Sequence, residues 1–454
     1  TDGGSNDGEA GSGGEGGAVP VCDLTQAPSS KACLVSDEFA VFVSPLGTNE
    51  GTGAKSDPLL SIGAAIEAAA QQQKVVIACS TEKAVFTAPL ELSGDVTARV
   101  YGGFDCATWT QGSTPTLVAP AERGPALTLE GVSGALLFED FEFRSKDALD
   151  GDGESSIAAV VSESEGVVFR RVLLSAGKGG QGRPGESGGD AVTEPAPRGH
   201  DAQGVDGGNA QQDCGCATLG GRGGDAVGRV DGDPGLPELG AGMGGKGGEV
   251  CENGKPGAAA PATPGALGAK THGTLEGAVW TPSPGQDGET GKAGQGGGGG
   301  GGQDKSKGGA GGGGGCGGCG GQGGKGGGGG GASIGLLLLD SSVTFEDSLV
   351  VSSDAGDGGD GGSPQPGQTG GNGGLPSSGG CLGGLGGAGA PGGAGGGGAG
   401  GLSVGIFFQG TAPSLDGVSI STGMRGSGGT GSQAASTDDD GLDGDNPETL
   451  DADA

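Results

Sequence analysis

The chain has 454 residues, of which 119 are glycine and only 3% are aromatic. Its 56 acidic residues outnumber 23 basic ones and give a net charge of −33 at pH 7, which opposes binding to nucleic acids and to anionic lipid surfaces. No stretch of about eighteen apolar residues is present, so the sequence predicts no transmembrane span.

The ten cysteines indicate the redox compartment. An even count in a chain with little core-forming material favours disulfides, and therefore an oxidising environment. The sequence opens at Thr1 without an initiator methionine or a signal peptide, and we interpret it as the mature form of an exported protein. A lipid anchor would require a cysteine ahead of Thr1. The disulfide candidates are Cys22, Cys33, Cys79, Cys106, Cys214, Cys216, Cys251, Cys316, Cys319 and Cys381.

The first elements along the chain are a linker, a loop, a strand and a helix. Residues 1–20 form an acidic, Gly-rich linker, and Cys22 and Cys33 then bracket a loop that predicts a local disulfide. A strand is predicted at 39–44. Apolar residues at helical spacing after Pro58 predict a helix that covers the end of the β-structure. Its apolar face consists of Leu59, Ile62, Ala65, Ile66 and Ala69.

Three further strands are predicted at 74–79, 85–92 and 96–104 from their apolar runs. Cys79 ends the first of these strands and Cys106 follows the third. A bond between them would close a loop of roughly 27 residues and stabilise the fold by about 3 kcal/mol in the chain-entropy model. Tyr101 and Trp109 are interpreted as packing residues rather than as a platform for sugars.

Four segments share one pattern of aliphatic strand, polar corner and second apolar strand, each over about twenty residues. Each copy can bury its apolar face only against another copy, so the repetition predicts stacked coils of a β-solenoid whose aliphatic residues belong to one coiled sheet. Val168, Val343 and Val418 are expected to lie together in that sheet. The four segments are 127–145, 158–177, 334–353 and 402–423.

Two stretches carry a resemblance to a known family. Residues 42–80 contain a VSPxGxxxGTG-type turn followed by the predicted helix, and residues 99–109 contain GGFD followed by a tryptophan. This order resembles the N-terminal part of exported, glycine-rich, right-handed parallel β-helix proteins with a pectate-lyase-like fold, which are surface proteins and lipoproteins of soil-dwelling social bacteria. Over residues 39–175 the resemblance implies an all-β, right-handed parallel β-helix with an N-terminal capping α-helix, and an exported location. It implies no reaction.

Glycine-rich insertions follow the last strand of three repeat copies, so all three are predicted to leave from the same edge and to stack beside one another. Glycine recurs at every third position, which is the repeat of an extended helix with three residues per turn. We therefore predict a bundle of polyglycine-type helices, stapled by disulfides of unassigned pairing, rather than a collagen triple helix or a flexible linker. The clearest series are Gly380 to Gly401, Gly317 to Gly326 and Gly179 to Gly188.

These features predict seven parts of the chain. They are a linker (1–20), the N-terminal part of the β-helix with its capping helix (21–176), a Gly-rich insertion (177–332), a β-helix coil (333–353), a Gly-rich triplet insertion (354–401), a β-helix coil (402–423) and an acidic flexible tail (424–454).

Metal and redox chemistry are weighed against structural roles. Cys214, Cys216, Cys316 and Cys319 are interpreted as disulfide-forming cysteines of unassigned pairing rather than as metal ligands or a redox site, because the two histidines lie in loop-like sequence and a redox CxxC motif opens a helix. Residues 220–227 fit a calcium-binding β-roll repeat but lack tandem copies. We predict no cofactor and at most weak calcium association with the acidic surface.

Catalytic chemistry is weighed at one polar row, which alternates with apolar residues and consists of Asp140, Glu142, Arg144, Arg170 and Arg171. A glycosidase needs two carboxylates that face one cleft. An outward polar row is also what solvates any β-solenoid, and we interpret the row in that way, with no catalytic residue.

The sequence thus predicts an exported, non-enzymatic structural or surface protein that acts in adhesion, in an extracellular matrix or in a filament. Its expected partners are other copies of itself or a surface polysaccharide. The alternative is a carbohydrate-binding or polysaccharide-degrading β-helix protein.

Overall fold

The computed structural model describes residues 22–304, 309–432 and 438–453. Within these ranges the chain forms one α-helix, α1 (Ile62–Gln72), and short strands separated by long irregular stretches. The strands are β1 (Ala40–Thr48), β2 (Val75–Cys79), β3 (Leu90–Ser93), β4 (Ala98–Phe104), β5 (Thr116–Val118), β6 (Leu127–Glu130), β7 (Leu136–Glu139), β8 (Phe141–Arg144), β9 (Ser156–Ser162), β10 (Val167–Arg170), β11 (Leu173–Ser175), β12 (Gly273–Glu276), β13 (Val279–Pro282), β14 (Ser333–Leu339), β15 (Val343–Glu346), β16 (Ser348–Val351), β17 (Ser403–Gln409), β18 (Val418–Ser421) and β19 (Thr449–Asp451).

The strands form three parallel sheets and one antiparallel hairpin, β12–β13. Sheet I has the order β1-β2-β4-β7-β10-β15, and sheet II has the order β3-β6-β9-β14-β17-β19. Sheet III has the order β5-β8-β11-β16-β18. Each sheet therefore ends in two edge strands and is open.

The prediction of an all-β, right-handed parallel β-helix is wrong as a fold class. The structure consists mostly of parallel strands in three open sheets, with one helix among the described residues, and the sheets are not closed into a solenoid. Among the described residues, each named strand pairs only with strands of its own sheet, so the three sheets remain separate. Here the chain leaves the sheets between β11 and β14, and again between β16 and β17, to form glycine-rich segments.

Equivalent positions of the repeat copies are nevertheless hydrogen-bonded neighbours. Ile157 pairs with Ile334, and Val167 pairs with Val343, in parallel register. Val168 and Val343 both lie in sheet I. Val418 lies in sheet III, where it pairs with Ser348. The expectation of one coiled sheet is therefore wrong, since each complete copy contributes to all three sheets.

One apolar core is shared by side chains from the three sheets and from α1. Phenylalanines from neighbouring strands of sheet I stack in this core, with ring centroids 6.2 Å apart for Phe138 and Phe169 and 6.0 Å apart for Phe169 and Phe345. Burial of each such side chain stabilises the fold by about 1.5–3 kcal/mol. The core thus depends on contacts between repeat copies.

Helix α1 packs against the first strands of the sheets, as the predicted capping role requires. The Ser61 hydroxyl accepts a hydrogen bond from the Ala64 amide at 3.3 Å and thereby caps the first turn. The buried face contains Ile62, Ala65, Ile66 and Ala69, as the spacing predicts. Leu59 is buried as well but precedes the helix.

The predicted N-terminal disulfides are present as Cys22–Cys33 and Cys79–Cys106. Tyr101 is fully buried, and Trp109 packs edge-on against Phe42 with ring centroids 4.8 Å apart. Both aromatic residues therefore serve packing, as predicted.

The C-terminal part of the chain departs from the predicted flexible tail. Strand β19 pairs in parallel with β17 and completes sheet II. Gly441 and Gly444 donate backbone hydrogen bonds to Gly429 and Gly426 at 2.8 Å. The tail prediction is wrong for these residues. The predicted linker over 1–20 lies outside the described residues.

Candidate functional site

The polar row singled out by the sequence lies at the ends of sheet I strands. Glu139, Arg170 and Glu346 occupy adjacent positions on β7, β10 and β15. Asp140 and Arg171 follow at the corners, where both have left-handed backbone angles, with φ of 60° and 50°. The register therefore places acidic and basic side chains alternately across three strands.

These side chains neutralise one another. Arg170 donates through Nε to Glu346 at 2.5 Å and through Nη1 to Glu139 at 2.9 Å. Arg171 donates through Nε to Asp140 at 2.7 Å and through Nη2 to Glu139. The Glu139 side chain is only 1% exposed, so this carboxylate is buried between two guanidinium groups. We name these five residues the ion-pair ladder.

Electrostatics in the ladder favour the charged forms. Hydrogen bonds to Glu346 raise the pKa of Arg170, and hydrogen bonds to Asp140 raise the pKa of Arg171. The hydrogen bond from Arg170 lowers the pKa of Glu346. Groups held in this way are poor proton donors or acceptors near neutral pH. The ion pairs of the ladder join β7, β10 and β15.

The other two residues of the predicted polar row lie elsewhere. Glu142 and Arg144 are on β8 in sheet III and form an ion pair with each other. Asp140 also accepts a hydrogen bond from Gln111 Nε2 at 2.9 Å, so its carboxylate is engaged on two sides. The structure thus does not bring the five predicted residues together in one cleft.

The most extensive feature of the chain is an assembly of extended segments within 177–304, 309–332, 354–401 and 423–445, which we name the glycine array. Its segments bond to one another through the backbone. The consecutive amides of Gly312, Gly313 and Gly314 donate to three different segments, at Cys381, His200 and Gly221, over 2.8–2.9 Å. Hydrogen bonds therefore radiate from one segment in three directions.

Each glycine series predicted from the sequence faces one neighbouring segment. A Cβ added at any of the eight glycines from Gly380 to Gly401 in steps of three would lie between 1.8 and 2.1 Å from a carbonyl oxygen of segment 310–331. The series from Gly317 to Gly326 faces segment 285–294 in the same way. Backbones approach too closely for any side chain, which explains the period of three.

The insertions leave the sheets side by side, as predicted. Strands β11, β16 and β18 are neighbours in sheet III, with Ser175, Val351 and Ser421 in register, and an insertion follows each of them. Beyond the strands, the Gly179 amide donates to Asp354 O at 3.0 Å. The array therefore continues the parallel stacking of sheet III.

Three disulfides join segments of the array. Cys214 bonds to Cys316, Cys216 to Cys319, and Cys251 to Cys381, which leaves no free cysteine in the chain. Each bond spans more than a hundred residues of sequence, with separations of 102, 103 and 130. Bonds that close long loops lower the entropy of the unfolded chain most. This offsets part of the entropy cost of ordering so many glycines.

Aspartates at the rim of the array form a functional pattern that the sequence analysis missed. Asp354, Asp357 and Asp360 accept hydrogen bonds from the amides of Met424, Ser427 and Thr430 at 3.1, 2.7 and 2.7 Å. Asp147 and Asp150 do the same for the amides of Lys178 and Gln181. These amides lie on outer segments, and the carboxylates satisfy them. The sequence feature that indicates this pattern is the spacing of three residues between successive aspartates.

Three aspartates with a lowered pKa, Asp231, Asp287 and Asp354, predict that acid destabilises the protein. Hydrogen bonds from Met424 lower the pKa of Asp354, those from Lys325 lower the pKa of Asp287, and those from Lys246 lower the pKa of Asp231. A lowered pKa in the folded state gives stability that is complete above the unfolded value of about 3.9 and is lost as the pH falls through the folded value. We expect the unfolding free energy to decrease below about pH 4.

This prediction is tested by replacing carboxylates with amides, which removes the titrating group but keeps an acceptor oxygen. Replacing Asp231, Asp287 and Asp354 with asparagine should flatten the acid limb of a curve of melting temperature against pH. Asparagine at the exposed Asp206, Asp213 and Asp304 should leave that limb unchanged. Equal slopes for the two triple variants would contradict the assignment.

Gln295 is a buried polar side chain inside the array. Gln295 is 1% exposed, and its amide is fully engaged. Nε2 donates to Gly235 O at 3.0 Å and to Ala241 O at 2.8 Å, while Oε1 accepts from the amides of Ala241 and Ala258 at 3.2 and 3.3 Å. The side chain thus supplies the donors and acceptors that a backbone segment would supply.

Gln295→Glu should lower the free energy of unfolding by about 2 kcal/mol, because the carboxylate cannot donate to the two buried carbonyl oxygens. Guanidinium denaturation at pH 7 measures the change. Gln322→Glu is the matched control, since Gln322 is exposed and accepts a hydrogen bond from Thr290 that a carboxylate would keep. If both variants unfold at the same denaturant concentration, Gln295 has no such role.

Asp225, in the candidate calcium-binding segment 220–227, makes contacts within the protein. Asp225 accepts hydrogen bonds from Arg222 Nη2 at 2.6 Å and from the Gly207 amide at 2.8 Å. In the parts of the chain that the structure describes, no group of three or more His, Cys, Asp or Glu residues is arranged to hold a metal ion.

Comparison with protein-family models, with curated proteins and with solved structures finds no match to the chain. Among the described residues, no helix has the length and apolar character needed to cross a membrane.

Proposed function

We propose that the protein is an exported, non-enzymatic structural component of a cell surface or an extracellular matrix. The observation that carries this proposal is the glycine array, whose segments bond through their backbones and are joined by three long-range disulfides. Disulfides persist in oxidising compartments outside the cytosol, which supports export. A body of this kind offers shape and stiffness, and its polar groups are engaged in holding it together.

The ion-pair ladder supports the non-enzymatic part of the proposal. Its two arginines and three carboxylates pair with one another, and the most buried carboxylate, Glu139, accepts from both guanidinium groups. A general acid or base needs a group whose proton can be exchanged during the reaction. Structural ion pairing explains the same residues without a substrate.

Export is tested by labelling intact cells that produce the protein with a membrane-impermeant amine reagent. Lys246 and Lys325 are exposed on the array, with side-chain exposures of 71% and 60%, and should be modified before lysis. Labelling only after lysis would contradict surface location.

Assembly is tested by negative-stain microscopy over a concentration series of purified protein, in which we expect concentration-dependent fibres or sheets. Particles that stay single at every concentration would remove the matrix role. Turnover of any member of a panel of acidic and neutral polysaccharides would overturn the non-enzymatic assignment.

A further inference from the structure

A groove crosses the outer face of sheet I, away from the glycine array. Its volume is about 660 Å³, which is within the range of pockets that bind small molecules. Leu137 and Val168 line its floor, Leu24 of the first disulfide loop forms one side, and the C-terminal end of α1 forms another. The floor is therefore apolar and continues across several strands.

Arg99 stands at one end of this floor. Arg99, Leu137 and Val168 are neighbours in register on β4, β7 and β10, so that the guanidinium and the apolar side chains form one row. Nη1 of Arg99 donates to Thr25 O at 3.3 Å. No carboxylate in the described ranges lies within 4 Å of its guanidinium, so Arg99 keeps donors for a ligand.

The contrast with Arg170 at the far end of the groove is informative. Arg170 is held by Glu346 and Glu139, which satisfy its charge. Lys74 also lines the groove, and its ammonium group donates to Asp37 O at 2.8 Å without an ion pair. Since Arg170 and Glu346 pair with each other, the remaining charged side chains of the lining are Arg99 and Lys74 against Asp95, in a chain whose net charge is −33. This local excess of positive charge favours an anion.

The acidic surface of the molecule favours an anion that carries a single charge. A polyanion would be repelled by the acidic surface, whereas a single carboxylate would meet one unpaired guanidinium. We propose that the groove binds a small amphipathic monocarboxylate, with its carboxylate on Arg99 and its aliphatic body on Leu137 and Val168. This site is independent of the array on which the proposed structural function rests.

The test is calorimetric titration of the full-length protein with octanoate, kept below its micellar concentration. Octanoate should bind more tightly than acetate, which lacks the apolar body, and than octanol, which lacks the charge. Arg99→Gln should weaken octanoate binding by at least about tenfold, and Arg99→Lys should retain part of the affinity. Val168→Thr should weaken octanoate binding and leave acetate unchanged.

Two controls separate the site from general effects. Arg123→Gln removes the same charge from an exposed residue outside the groove lining and should leave octanoate affinity unchanged. Methyl resonances of Leu137 and Val168 should shift on titration in the parent protein, which locates the ligand without any variant. Equal affinity for octanol and octanoate, unchanged affinity in Arg99→Gln, or unshifted Leu137 and Val168 methyl groups would each overturn the proposal.

Discussion

Replacing Gly314 with alanine should lower the free energy of unfolding by about 3 kcal/mol or more. A Cβ at this position would lie 1.8 Å from Gly297 O and 2.5 Å from the Gly297 carbonyl carbon. Relief requires the two segments to separate. That movement would strain the hydrogen bonds from Gly314 to Gly221 and from Gly297 to Gly315, each 2.8 Å long. Overpacking and loss of buried backbone hydrogen bonds then act together.

Gly248→Ala is the matched control. The nearest heavy atom to a Cβ at Gly248 is Val250 O at 3.5 Å, which is an ordinary contact. Alanine there should be neutral or stabilising by a few tenths of a kcal/mol, because it restricts the unfolded chain. Guanidinium and thermal unfolding measure both variants. If Gly314→Ala does not accumulate in cells while Gly248→Ala does, that result also supports destabilisation by alanine at position 314. Coincident unfolding curves would show that the array is loosely packed at its centre.

Some features of the structure follow from the sequence because each is indicated by a short pattern of residues. The spacing of Ile62, Ala65, Ile66 and Ala69 predicts the buried face of α1, and it is observed. The short separation of Cys22 and Cys33 predicts their disulfide, which is present. The period of three predicts close backbone contact at series such as Gly380 to Gly401. In each case only one local geometry satisfies the pattern.

The long-range features do not follow from the sequence. The repeat pattern identifies which residues pair, such as Ile157 with Ile334, but it does not determine whether the sheets close into a solenoid. That is why the β-helix prediction is wrong. The pairing of Cys251 with Cys381 depends on which array segments are neighbours, and sequence spacing does not contain that information.

The rim aspartates were missed for a related reason. In the sequence alone, aspartates at every third position, such as Asp354, Asp357 and Asp360, indicate only a solvated acidic segment. Its role becomes visible only when the amides of Met424, Ser427 and Thr430 are known to lie on an outer segment without another backbone acceptor beside them. Part of the excess of acidic residues is therefore structural, since carboxylates complete the hydrogen bonding of the array.

Replacing Arg170 and Arg171 together with methionine should lower the free energy of unfolding by about 3–5 kcal/mol at neutral pH. The double variant leaves the Glu139 carboxylate, whose side chain is 1% exposed, without either of its cationic partners. A buried charge without a partner is among the most destabilising changes to a protein. Chemical denaturation of the parent and the variant at pH 7 measures the loss.

The pH dependence of the double variant identifies the cause. Burial without a partner raises the pKa of a carboxyl group in the folded state, so the protonated form is favoured by folding. Stability linked to a raised pKa is present at low pH and is lost as the pH rises through the folded value. The deficit relative to the parent should therefore be smaller near pH 4 than near pH 8, which is opposite to the acid sensitivity expected from Asp231, Asp287 and Asp354.

Two further variants distinguish the effect of the buried Glu139 charge from that of net charge. Adding Glu139→Leu to the double variant should restore part of the lost stability, because the unpaired charge is removed. Methionine at Arg183 and Arg198 removes the same total charge from exposed ion pairs with Asp152 and Asp201, and should cost no more than about 1 kcal/mol per pair. If this control loses as much stability as the Arg170 and Arg171 variant, then net charge rather than the buried Glu139 governs the effect. In that case the ladder does not hold the three strands of sheet I together.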